Sequence, residues 1–81
     1  MRTQTSKAHS PAPAGEQGSH HWLLTLELPG RAALTQDGTW TPPAGMTRQD
    51  AYLAIRRSIA GEHPEMAHAN TVFFSIEPNR L

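Results

Sequence analysis

The chain has no cysteine. Disulfides and thiolate metal sites are therefore closed to it as sources of stability. It has one lysine, Lys7, beside six arginines. Arginine in place of lysine, with plentiful Ala, Gly and Pro, is the composition expected of a GC-rich bacterial genome, an association rather than a mechanism. No apolar run is long enough to span a bilayer, and no apolar segment near the N-terminus resembles a signal peptide. The expected compartment, by elimination, is the cytoplasm. Neither sign of charge dominates, with seven basic and seven acidic side chains. From His20 onward five arginines face six carboxylates, which argues against a protein built mainly to grip a phosphate backbone.

Eighty-one residues hold one domain. Met1 to Ser19 is rich in Ser, Thr, Gln, Pro, Ala and Gly, and Met1 is its only sizeable apolar residue. Such a composition does not repay its ordering entropy, so residues 1–19 are expected to form a disordered tail and residues 20–81 the folded domain. A domain of about 60 residues buries only about 60% of its unfolded surface. With no disulfide to help, a good core or self-association must make up the difference.

The segment Met46–Gly61 specifies one structure most firmly. Thr47 and Asp50 form a capping-box pattern, with Asp where Glu is commoner. Ala51, Ile55 and Ile59 recur at four-residue spacing and Tyr52 stands beside them. Gly61 is expected to supply a left-handed C-terminal position and Pro64 to prevent any continuation of the helix, with a separate single helical turn opening at Pro64 and running through His68. Arg56 and Arg57 are expected near the negative end of the helix dipole. Leu53 falls on another face, among Gln49, Arg56 and Ala60.

Three strands surround this helix. In His20–Leu28 the residues Trp22, Leu24, Leu26 and Leu28 alternate with His21, Leu23, Thr25 and Glu27. Pro29-Gly30 then turns the chain. A return strand is expected from about Ala33 to Thr41, bent near Asp37-Gly38, the competing reading being a tight hairpin at Asp37-Gly38. The last strand, Thr71–Glu77, is expected to set Val72, Phe74 and Ile76 on one face and Thr71, Phe73 and Ser75 on the other. Strand, strand, helix, strand with a right-handed crossover places the last strand beside the first. The expected fold is α+β, a ββαβ domain with a mainly antiparallel three-stranded sheet of order 2-1-3 and one helix on one face. From His20 to Pro78 this order of elements resembles the core of a β-grasp domain, the ubiquitin-like arrangement. The resemblance implies a fold and no activity.

Sites for chemistry are sparse. His20 and His21 are strand neighbours and point to opposite faces, while His63 and His68 are poorly spaced for one ion. These histidines read as exposed groups near strand and loop ends. Ser58 and Ser75 lie inside regular elements, and Asp50 is used as a cap. Glu27 and Glu77 would need to be shown close together before they meant acid–base work. There is no Gly-rich phosphate loop. No catalytic, cofactor or metal site is therefore expected, and the chain reads as a non-enzyme.

What remains is surface. Three strands under one helix leave the second sheet face open, with Leu23, Phe73 and Trp40 as expected occupants. The leading reading is a protein–protein interaction module, self-associating through that face or through an edge strand, with Leu23, Trp40, Phe73 and Leu53 as contact residues. The alternative is a nucleic-acid accessory protein using Arg31, Arg48, Arg56 and Arg57.

Overall fold

The structure, a computed structural model, describes residues 17–81. Most of the expected tail lies outside the described residues. Strand β1 covers His20–Leu28, β2 Ala32–Trp40, helix α1 Arg48–Glu62 and β3 Asn70–Pro78, with a 3₁₀ turn at Pro64–Met66 between α1 and β3. The sheet order is β2-β1-β3, with the most apolar strand in the centre, and both neighbours of β1 run antiparallel to it. Strand direction follows from the connection. Helix α1, the 3₁₀ turn and the link to Asn70 carry the chain back along the sheet, so β3 starts opposite Glu27 and runs in the same sense as β2.

The β1–β2 turn is closed by the Arg31 amide donating to the Leu28 carbonyl at 2.9 Å. Pro29 and Gly30 take its central positions, and Gly30 has φ 73°, the signature of a type II turn. Beyond it β2 is one uninterrupted strand, paired residue for residue from Ala32↔Leu28 to Trp40↔His20. Neither the bend nor the hairpin expected at Asp37-Gly38 is formed. Gly38 stands opposite Trp22, and a Cβ added there would come within 3.0 Å of the indole. The glycine is present because a ring lies across it, not because the chain turns.

The irregularity lies instead in β3. Thr25 pairs with Phe73, but Leu26 pairs with Thr71, so Val72 is an extra, bulged residue. The bulge exchanges the expected faces of two residues. Thr71 turns to the helix side, where its hydroxyl meets the Tyr52 hydroxyl at 2.5 Å. Val72, expected in the core, is 58% exposed.

Helix α1 starts as expected. The Thr47 hydroxyl accepts from the Asp50 amide at 3.0 Å, one of the two bonds of a capping box. Its end differs. The helix runs through Gly61 to Glu62, and the His63 amide closes it on the Ile59 carbonyl at 2.7 Å. Among the described residues the left-handed glycines are Gly30 and Gly45, not Gly61. The extension also moves Arg56 and Arg57 out of the last turn, which holds no basic residue.

The core lies between α1 and one sheet face. Leu24, Leu26, Ile55, Ile59, Met66 and Ala69 form its buried cluster, and Ala51 is buried beside the helix start. Trp22, Leu28, Leu34, Trp40, Tyr52, Phe74 and Ile76 pack around the cluster. Leu24 and Leu26 are the largest fully buried side chains, and full burial of a leucine is worth about 1.5–3 kcal/mol. Gln17, Gly18 and Ser19 belong to this ordered body. The Gly18 and Ser19 amides donate to the hydroxyls of Thr39 and Thr41 at 2.9 and 3.0 Å, and the Asn79 amide donates to the Ser19 carbonyl at 2.8 Å.

Candidate interaction surface

The pairing defines the sheet face turned away from α1. Its rows are Thr39, His21 and Glu77; Asp37, Leu23 and Ser75; Thr35, Thr25 and Phe73; then Ala33, Glu27 and Asn70. Leu23, Phe73 and Ala33 are the apolar members of these rows, set among polar neighbours. Several polar groups satisfy one another. His21 Nε2 and Asp37 Oδ2 are 3.0 Å apart, and the hydroxyls of Thr25 and Thr35 are 2.9 Å apart. Leu23 is half-buried and Phe73 is 52% exposed. Leu23 faces Ser75, and Phe73 faces Thr25, so the two are diagonal neighbours. Trp40 is not on this face. It pairs with His20, one residue out of step with the open-face row, and packs against the core. Leu53 is 43% exposed on the outer side of α1, away from the sheet.

The two outer strands treat their free edges differently. The Phe74 carbonyl on β3 accepts from the Arg48 guanidinium at 3.1 Å, whose carbon lies 4.9 Å above the Phe74 ring. Strand alternation sets Ile76 and Pro78 on that same edge, and Pro78 has no amide hydrogen to offer. The Arg56 guanidinium donates to the Thr71 hydroxyl at 3.0 Å and to the carbonyls of Ala67 and Ala69. With the bulge at Val72, the β3 edge carries three of the features by which proteins keep an edge strand from pairing: a bulge, a proline and charged side chains. Strand β2 carries neither a bulge nor a proline over its nine residues. Asp37 is its only charged residue, and that carboxylate is held by His21. Among the described residues β2 pairs on one side only.

The proposed nucleic-acid residues do not form one cationic patch. Arg48 and Arg56 are turned onto β3 and its approach, as above. Arg57 is exposed on α1, and Arg31 is exposed in the β1–β2 turn. The histidines are spread out, with His20 against the Ser19 hydroxyl at 2.8 Å and His63 beside Glu65 at 3.6 Å. Among the described residues no three His, Asp or Glu side chains stand together as a metal site would require. Glu77 faces His21, and Glu27 lies six residues further along β1, about 20 Å away at strand rise. An open groove of about 330 Å³ runs between the start of α1 and the end of β3, lined by Pro42, Pro43, Met46, Ile76 and Pro78, with His20 and Arg48 as its ring and cation. Thr47 also lines it, but its hydroxyl is already the helix cap.

No family model, no characterised protein and no solved structure matches this chain. No helix among the described residues is long and apolar enough to cross a membrane.

Three residues central to this arrangement carried a different meaning in sequence. Gly38 reads as a turn residue until its pairing with Trp22 is known. Arg56 reads as a solvated cation until the Pro64–Ala69 segment is folded against it. Met66, 2% exposed, closes the core from a segment with no periodicity to mark it.

Proposed function

We propose that this protein is a non-enzymatic protein–protein interaction module that accepts a strand from its partner along the free edge of β2. The observation that carries the reading is the asymmetry of the two edges. Arg48, Arg56, Pro78 and the Val72 bulge occupy or interrupt β3, while β2 is regular over its nine residues and turns the backbone groups of alternate residues to its free edge. Strand addition uses such groups for affinity and the alternating side chains for specificity. The open face supports the same choice, because its paired rows are mostly polar and hold only Leu23, Phe73 and Ala33 as apolar members, with the exposed Val72 at the bulge beside them. The engagement of Arg48 and Arg56 within the fold weighs against the nucleic-acid reading.

The test is site-specific photocrosslinking of the intact chain in cells. A benzophenone side chain is placed in turn at positions 35, 53, 57 and 73. Strand addition requires a crosslinked product from position 35, on β2. Products from 53, 57 or 73 with none from 35 would move the interface to another surface and end this reading.

A further inference from the structure

We infer that the strand accepted by β2 is β2 of a second copy, paired antiparallel about a two-fold axis at Gln36, so that two sheets join into one of six strands. The inference rests on the edge reading above and adds the identity of the partner and the register. Full overlap of Ala32–Trp40 with itself pairs each residue with the one equally far from the other end. Gln36 then meets Gln36 of the partner copy. On the helix side Trp40 meets Ala32 and Leu34 meets Gly38, so each large side chain faces a small one. On the open side Asp37 meets Thr35. The longest overlap is thus also the one with matched volumes and no facing like charges.

Neighbouring registers lose on one count or the other. Centring the pair on Asp37 puts two carboxylates directly opposite, which is destabilising, and also shortens the overlap. Centring it on Thr35 leaves Trp40 and Thr39 without strand partners. A shift by one residue sets the two helices on opposite sides of the joined sheet and breaks the apolar row of Leu34 and Trp40. An isologous contact of this kind needs one self-complementary patch, which the strand itself provides. A small cysteine-free domain also gains stability by pairing.

The chain's lack of cysteine makes the test clean. Gln36→Cys, Leu53→Cys and Phe73→Cys are each treated with a short thiol–thiol cross-linker whose reach matches the roughly 5 Å between cross-strand neighbours. Sedimentation equilibrium is run on the unmodified chain up to millimolar concentration. The expected result is a concentration-dependent dimer, with cross-linking at position 36 at least tenfold faster than at 53 or 73. In parallel, Thr35→Asp sets a carboxylate opposite Asp37 of the partner copy twice per dimer. It should weaken association by about 2–30-fold, and Thr35→Lys should strengthen it. A dimer that cross-links faster through 53 or 73 overturns both this inference and the edge reading. A monomer at millimolar concentration overturns the second copy as partner, while a product from position 35 in cells would still uphold strand addition by another protein.

Discussion

The indole of Trp22 lies across Gly38, so that a Cβ on the glycine would stand 3.0 Å from Cζ2 of the ring. The two residues are directly paired on β1 and β2. Strand β2 runs straight past this contact, where its sequence suggests a turn. It follows that Gly38→Val should cost about 1–3 kcal/mol through overpacking, despite the better strand propensity of valine. Urea denaturation measures the loss, and a shift in tryptophan emission reports the displaced ring. A variant at least as stable as the parent would mean that the ring does not rest there.

Gly61 presents the opposite case. It is helical, and a Cβ there meets nothing within 4 Å. Gly61→Ala should therefore stabilise the protein by about 0.5–1 kcal/mol. Thermal unfolding should show a higher midpoint. A lower midpoint would restore the left-handed terminator that the sequence suggests.

Arg56 and Arg57 are adjacent but not equivalent. Arg56 joins α1 to Ala67, Ala69 and Thr71, whereas Arg57 is exposed. Removing Arg56 strands carbonyl groups, at a cost of about 1–3 kcal/mol. Arg57→Met should fall within about 0.5 kcal/mol of the parent. The comparison of Arg56→Met with Arg57→Met in one denaturation series decides the matter. The Thr71 amide resonance should move in the first variant alone.

Phe73 is the most prominent aromatic of the open face, yet it lies away from the proposed β2 contact. Phe73→Ser should leave the circular dichroism spectrum and the concentration dependence of sedimentation unchanged. Loss of association in this variant would assign the interface to the open face, with Leu23 as its neighbour.

Much of this architecture was legible beforehand. The alternation in His20–Leu28 and the four-residue spacing of Ala51, Ile55 and Ile59 are local periodicities. They mark which side of each element avoids water without reference to any other element. The order 2-1-3 followed from the general handedness of crossovers. Trp40, Thr71 and Val72 were misassigned for one reason. A strand's faces are labelled by counting in twos, so a mistaken bend in β2 or an unseen bulge in β3 flips every label beyond it.

Local patterning by itself determined the elements, the Thr47 cap and the apolar stripes, because these depend on neighbours a few residues apart. Only the folded arrangement decided the purpose of Gly38 and the employment of Arg48 and Arg56. Each of those depends on a partner far along the chain: Trp22 for the glycine, the Phe74 carbonyl for one arginine and the Ala67–Thr71 segment for the other. A lone glycine or arginine carries no mark of what will be brought against it. That is also why the difference between a guarded β3 edge and an open β2 edge emerges only once the sheet is assembled.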